Sequence, residues 1–215
     1  MSTDHVLLNK EGGLWRVTLN RPDKANALSD GMLHRLSDIF SDAASDEDLR
    51  VLVITGAGER VFCAGADLSE LNTDSDDPAN QVWRDLAEKL ATLPALTIAM
   101  INGSCIGGAL MLALGCDIRI AVPEAAFGYP VLKNGVLLGT RDAARMRALM
   151  GPGRTSMNIL GGTRADAHEA CAWGLVDRVV ERSELDQAVA DLGATALDAD
   201  RAHLITLKQR CREDM

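Results

Sequence analysis

Along the chain, short continuous apolar runs alternate with longer amphipathic stretches. Apolar runs predict strands at His5–Asn9, Leu14–Asn20, Val51–Thr55, Val61–Cys63, Leu96–Ile101, Asp117–Val122 and Val176–Val180. Apolar positions at helical spacing predict helices at 29–44, 81–93, 107–114, 201–212 and over most of the chain beyond residue 141. Because strands alternate with helices, the pattern predicts the α/β class of fold.

Length and composition favour one domain with a substantial core. The chain has 215 residues, of which 47% are hydrophobic and 25% are charged, values that are typical of globular proteins. Aromatic residues make up only 3%, so Ala, Leu, Val, Ile and Met must fill the core. The net charge of −9 argues against a general binder of nucleic acids or membrane surfaces, because a protein needs a basic face to bind either of these anionic partners.

The termini, cysteines and apolar stretches favour a cytoplasmic protein. Met1–His5 lacks the basic and apolar regions of a signal peptide. The uncharged stretch Thr97–Cys116 is interrupted by glycines and polar residues, which predicts two buried elements joined by a turn rather than a membrane span. The cysteines, at 63, 105, 116, 171 and 211, are odd in number and mostly have apolar neighbours. We interpret most of them as reduced core thiols, with a catalytic cysteine as the alternative.

Two glycine-containing segments carry the clearest chemical signal. Phe62–Leu68 and Asn102–Ala109 each place glycine after an apolar run that predicts a buried strand. Glycine there lets backbone N–H groups approach a ligand without a Cβ in the way. Two such N–H groups aimed at one point would form an oxyanion hole, which polarises a carbonyl. The four histidines show no metal-binding spacing, so no metal is expected. A separate cofactor is not expected either, because Gly56–Gly58 does not complete a dinucleotide fingerprint and the chain has no P-loop.

Five stretches then form a series along the chain: Asn20–Leu28, Val51–Leu68, Pro94–Asp117, Phe127–Pro130 and Gly161–Asp177. In this order they resemble the signature segments of the crotonase superfamily, also called the enoyl-CoA hydratase/isomerase family. The resemblance, which covers residues 5–190, implies a crotonase-like spiral of ββα units over 1–190 and a short helical C-terminal segment over 191–215. It also implies an acyl-CoA substrate of the kind used in fatty acid metabolism, and assembly into a homotrimer or hexamer.

The resemblance implies a site as well. It assigns the oxyanion hole to the backbone N–H groups of Ala66 and Gly108, next to a helix whose positive dipole end would face the developing enolate. It implies that the substrate is bound by Lys24, Ala64, Gly65, Ala66, Asp67, Leu68, Met111, Val131 and Gly139. For Lys24 a solvated surface charge is the alternative to a phosphate contact, and for Asp67 the alternative is a structural role in its turn.

Both glutamates that hydratases of this family use are replaced. The resemblance places them three residues after Gly108 and directly after the Phe-Gly-x-Pro motif, where this chain has Met111 and Val131. Hydration needs one group to activate water and another to protonate the α-carbon. A thioether and an isopropyl group do neither, so ordinary hydration is not expected, nor is isomerisation by a base at position 131.

Asp142 is a candidate for a displaced carboxylate, because it follows Gly139 in the altered glycine-rich stretch. Its alternative role is a charge at the start of a helix or an ion pair with Arg145. Tyr129 and Lys133 flank the lost carboxylate position and are candidate hydrogen-bond donors. Further acidic candidates, with solvated surface as their alternative, stand at Glu70, Asp74, Asp76 and Asp77.

Three functional hypotheses remain. The first is an enzyme that stabilises a thioester enolate by non-standard chemistry, such as a lyase of the decarboxylase type, because loss of CO2 generates the enolate without a base. The second is a non-catalytic protein that binds acyl-CoA. The third is a hydratase or isomerase whose acid has moved to Asp142 or to the 70–77 loop.

Overall fold

A computed structural model of the chain describes residues 4–70 and 78–212, with side chains throughout except at 78–80. The strands in these ranges are β1 (Val6–Glu11), β2 (Leu14–Leu19), β3 (Val51–Gly56), β4 (Val61–Cys63), β5 (Leu96–Ile101), β6 (Ser104–Ile106), β7 (Ile118–Ala121), β8 (Ala126–Gly128), β9 (Ala165–Asp166) and β10 (Arg178–Val179). The helices are α1 (Asp30–Ser45), α2 (Pro78–Ala91), α3 (Ala109–Gly115), α4 (Val131–Asn134), α5 (Thr140–Ile159), α6 (Ala167–Trp173), α7 (Leu185–Leu197) and α8 (Arg201–Arg212).

The strands form two sheets that alternate along the chain. The larger sheet has the order β1-β2-β3-β5-β7-β10, and the smaller has the order β4-β6-β8-β9. Strands β3, β5 and β7 enter the larger sheet in parallel, and each is followed by a short strand, β4, β6 or β8, in the smaller one. Helices follow each strand pair, so the prediction of an α/β spiral of ββα units is confirmed.

The smaller sheet is the main departure from the predicted elements. The sequence indicates a turn between Ile101 and the next helix, but β6 lies there, and β8 occupies part of the predicted loop Phe127–Pro130. The equally short β4 was predicted from its apolar run, but β6 and β8 are too short to show an alternating pattern that would distinguish them from turns. The helix predicted from residue 107 begins at Ala109, with Gly108 as its N-cap.

Burial explains why the central strands were predicted well. Every residue of β3 is buried, as expected of a parallel strand with both faces covered. Helix α1 packs an apolar stripe on this layer, and its N-cap Ser29 accepts a hydrogen bond from the Met32 N–H.

The C-terminal part of the chain packs on the same sheet. The predicted division at residue 190 falls within α7, which contacts β3, β5 and β7. Helix α8 is tied to the end of α3 by Lys208 and Arg212, whose side chains lie 2.8 and 2.7 Å from the Asp117 carboxylate. No helix in the described ranges is long and apolar enough to cross a membrane.

Candidate active site

The two glycine-containing segments meet at the centre of the molecule. Strands β4 and β6 are parallel neighbours, so the turns that follow them lie side by side. Gly65 has a φ of +95°, and a Cβ built on it would lie 2.9 Å from the Gly108 nitrogen and 2.9 Å from the Ile106 oxygen. Only glycine fits this backbone conformation and this approach. The fold therefore brings together two turns that are more than thirty residues apart in the sequence.

Two backbone donors at this junction have no acceptor in the protein. Within the described part of the chain, the N–H groups of Ala66 and Gly108 donate no hydrogen bond. Four N–H groups in the same two turns do donate, namely those of Ala64, Gly65, Asp67 and Gly107. Unpaired N–H groups in a folded protein are uncommon, because each carries a desolvation cost. These two are available to a carbonyl oxygen of a ligand.

Both donors border one cavity of about 580 Å³. Eight of the residues predicted for the site line it: Ala64, Ala66, Leu68, Gly108, Met111, Val131, Gly139 and Asp142. Met111 lies on α3, and Val131 is the first residue of α4; both are buried. The two apolar replacements of the usual glutamates therefore form part of the cavity wall.

Asp142 brings a carboxyl group into this cavity from the first turn of α5. The residue is 7% exposed, and its Oδ2 accepts a 3.5 Å hydrogen bond from the Tyr129 hydroxyl. The Arg145 guanidinium lies 3.7 Å from its Oδ1. Burial raises the pKa of the Asp142 carboxyl, and Arg145 and Tyr129 offset only part of that effect. A carboxyl with a raised pKa is a better base at neutral pH than an exposed aspartate.

Tyr129 provides a neutral hydroxyl beside this carboxyl. It also lines the cavity, and burial together with the neighbouring Asp142 raises the pKa of its phenol well above the usual value. The phenol therefore keeps its proton and acts as a donor at neutral pH. Lys133, the other predicted donor, is exposed and does not line the cavity.

Helix α2 supplies cavity residues that the sequence interpretation did not assign, among them Trp83 and Glu88. A Cβ built on Gly108 would lie 2.6 Å from the Trp83 ring, so the indole packs directly on the turn that carries the Gly108 N–H. Glu88, one and a half turns further along α2, pairs with Arg141 and lies 3.7 Å from Arg145. The amphipathic pattern of the sequence predicts this helix. It does not predict which other elements the side chains of the helix contact.

The remaining described candidates do not line the cavity. Gly65, Asp67 and Lys24 do not line it, and Glu70 accepts a hydrogen bond from the Asp30 N–H at the start of α1. Hydrogen bonds from Ser69 and from Arg21, at 2.7 Å, lower the pKa of Asp67 to about 2, which fits the structural alternative for that residue. The other acidic candidates, at 74, 76 and 77, lie outside the described residues.

Metal chemistry has no evident ligand set in the described ranges, where no cluster of His, Cys, Asp and Glu could hold an ion. The described cysteines are all free thiols, and Cys63, Cys105 and Cys116 are buried. Burial raises the pKa of Cys63 to about 12, so the thiol next to the turn at Gly65 stays protonated and a poor nucleophile. The interpretation of these residues as core thiols fits this environment.

Known proteins are similar to this chain in sequence and share its fold. A sequence model of the enoyl-CoA hydratase/isomerase family matches residues 9–215. YngF of Bacillus subtilis, named for the same family, is 40% identical over 181 residues, which are 83% of this chain and 70% of YngF. The short-chain-enoyl-CoA hydratase of Clostridium acetobutylicum is 36% identical over a region that covers 86% of this chain and 72% of the hydratase. The crystal structure of an enoyl-CoA hydratase/carnithine racemase from Magnetospirillum magneticum superposes with a TM-score of 0.91 at 33% identity, covering 99% of this chain and 81% of the other.

Proposed function

Because the chain belongs to the enoyl-CoA hydratase/isomerase family, we propose that it is an acyl-CoA enzyme that moves a proton next to the thioester carbonyl, with Asp142 as its acid and base. The observation that carries this proposal is the position of the Asp142 carboxyl, which lines the same cavity as the N–H groups of Ala66 and Gly108.

The proposed reaction is the shift of the double bond of a 3-enoyl-CoA ester to the 2-position, because in such an ester the carbon next to the thioester carbonyl is saturated and carries an acidic C–H. The Asp142 carboxylate takes a proton from the carbon next to the thioester carbonyl, and the electron pair of that C–H bond forms a dienolate. The N–H groups of Ala66 and Gly108 hold the negative oxygen. Asp142 then returns the same proton to the γ-carbon as the double bond moves. Atoms and electrons balance without any cofactor beyond the coenzyme A of the substrate.

One carboxyl group suffices for this reaction, whereas hydration at this cavity needs a second. Met111 and Val131 offer no proton, and the neutral Tyr129 phenol is a donor that holds the Asp142 carboxyl. Decarboxylation is disfavoured by the same geometry, because an ionised Asp142 would repel the carboxylate that has to leave.

Hydration is the second candidate, since Glu88 places another carboxylate along the cavity wall. Glu88 is already held by Arg141 and lies near Arg145, so it would have to leave those partners to activate water. Products distinguish the two reactions: hydration adds the mass of one water, and isomerisation leaves the mass unchanged while shifting the chromatographic retention.

The decisive variant is Asp142→Asn, which keeps the size of the side chain and removes its basic form. With a panel of 2-enoyl- and 3-enoyl-CoA esters, we expect kcat to fall by about 10²- to 10⁴-fold while binding of the esters persists. Asp186→Asn, at an exposed aspartate on α7, is the matched control. Full activity of Asp142→Asn would remove Asp142 from the mechanism, and binding without conversion by the unchanged protein would favour the non-catalytic hypothesis.

A further inference from the structure

Arg145 lies one helical turn beyond Asp142 on α5 and directs its guanidinium at the same carboxyl. Its side chain is 11% exposed, and its Nη1 lies 3.7 Å from the Asp142 Oδ1. A buried cation next to a buried carboxyl is uncommon unless each stabilises the other's charge. Arg145 does not itself line the cavity, so it reaches a bound substrate only through Asp142.

The distance between these groups matters for the chemistry. At 3.7 Å the pair attracts electrostatically but is beyond hydrogen-bond length. Within the described residues, the Arg145 Nη1 has no hydrogen-bond partner, and the Asp142 carboxyl accepts one hydrogen bond, from Tyr129. The Asp142 Oδ1 therefore keeps its lone pairs free to accept a proton, while the nearby cation favours the ionised form.

A second carboxylate fixes the guanidinium from the opposite helix. The Arg145 Nη2 lies 3.7 Å from the Glu88 Oε2, and the exposed Arg141 pairs with the same oxygen. Glu88 is on α2 and Arg145 is on α5, so these contacts connect two helices that line the cavity. The guanidinium is held between two acidic groups, which limits its orientations.

We propose that Arg145 is a positioning residue that keeps the Asp142 carboxylate ionised and oriented toward the cavity for proton transfer. This inference rests on the proposed function, because it assigns Arg145 a role through Asp142. Arg145 touches neither the cavity nor the free N–H groups, and its effect is exerted by charge and by the orientation of one side chain.

Several charged or titratable groups surround this pair. Tyr129 faces Asp142 from the connection before α4, and Glu88 faces Arg145 from α2. Arg141 stands on the same helix, and Arg212 of α8 lies close enough to influence Arg145. Burial raises the pKa of Asp142, and the charge of Arg145 lowers it. Loss of Arg145 should therefore raise the pKa of Asp142 further.

The test is the pH dependence of kcat/KM in Arg145→Met. In the pH profile of kcat/KM, activity falls at low pH, where the base becomes protonated; this fall is the acidic limb. We expect Arg145→Met to shift the acidic limb to higher pH by about one pH unit or more. Arg145→Lys, which keeps a cation, returns the limb toward its original position. Arg147→Met removes an exposed arginine from the same helix and leaves the limb unchanged. Arg145→Gln replaces the methionine variant if that protein does not fold.

The outcomes separate this inference from the proposed function. If Asp142→Asn is inactive and the Arg145→Met limb stays in place, Arg145 is a structural residue and the inference is wrong while the proposed function stands. An upward shift that Lys reverses supports the inference. If Asp142→Asn is fully active, both proposals are overturned, whatever the profile of the Arg145 variants.

Discussion

At the residue scale, Gly108 combines a free backbone donor with a contact that requires glycine. Its N–H is unpaired among the described residues, and its Cα lies against the Trp83 ring, with no room for a Cβ. A side chain at this position pushes either the indole or the oxyanion turn out of place. The same contact makes Trp83 part of the wall next to the proposed thioester site.

We therefore expect Gly108→Val to lower kcat/KM by at least about 100-fold, the typical cost of one misplaced oxyanion donor. Circular dichroism and turnover of the true substrate are the measurements. Gly153→Ala is the matched control, because a Cβ there meets nothing within 4 Å. Partial recovery of Gly108→Ala in a Trp83→Ala background would identify the collision as the cause, whereas unchanged turnover of Gly108→Val would rule out this oxyanion assignment.

At the scale of elements, α8 depends on one partly buried carboxylate. Asp117 follows α3 and binds Lys208 and Arg212, and Arg212 also donates to the Gly115 carbonyl. Burial alone would raise the pKa of Asp117, but the two cations outweigh it and lower the pKa. Removing one partner of such a cluster leaves the other charges buried without compensation.

Asp117→Asn is expected to lower the free energy of unfolding by about 3 kcal/mol and the Tm by about 6–12 °C. Asp186→Asn breaks an exposed pair with Arg16 and should change the free energy of unfolding by less than about 1 kcal/mol. Thermal and urea unfolding at neutral pH measure both variants. Equal stability of Asp117→Asn and the unchanged protein would mean that α8 is held by other contacts.

The same carboxylate gives a pH dependence with a definite sign. Because the folded pKa of Asp117 is depressed, its contribution is complete above the unfolded value of about 3.9 and is lost as the pH falls through the folded value. The stability difference between Asp117→Asn and the unchanged protein should therefore shrink below about pH 4. A difference that stays constant to lower pH would show that the ionised form of Asp117 is not what stabilises α8.

At the scale of the whole molecule, the two sheets and their helices share one continuous core. Cys63 and Cys105 lie opposite each other on the adjacent strands β4 and β6, and Cys116 lies at the end of α3. All of them belong to this core. Burial raises the pKa of Cys63 and Cys116 to about 12 and that of Cys105 well above its usual range. Their reaction with a thiol reagent therefore requires the core to open.

Titration with a thiol reagent under native conditions should show one fast cysteine, the partly buried Cys171 at an intermediate rate, and three slow ones. The exposed Cys211 should react first, and a Cys211→Ser variant should lose that phase. Cys63, Cys105 and Cys116 should then react together, at the rate of global unfolding measured by circular dichroism. Faster reaction of Cys63 alone would instead reveal local opening of the oxyanion turn.

Assembly belongs to this scale too, and a homotrimer or hexamer stays a prediction. Large apolar side chains on the described surface include Leu132 and Leu137 next to the cavity and Leu160 after α5. Sedimentation at several concentrations measures the state directly.

The sequence by itself determined the long elements and the two glycine-containing turns that meet at the cavity. Buried strands such as β3 and amphipathic helices such as α1 carry a periodic signal in the chain, and glycine is required locally where Gly65 takes a positive φ. The substitutions Met111 and Val131 were visible for the same reason, since each sits at a fixed distance from a local motif.

Only the tertiary structure decided which side chains share the cavity. Asp142 could be named from the sequence, but its place beside Tyr129 and Arg145 depends on how α5 packs, and Glu88 and Trp83 arrive from α2. Local patterns report the period of a segment and the special conformation of a residue. Contacts between segments tens of residues apart depend instead on the crossing of two sheets and the packing of the helices that follow them, which no local pattern encodes.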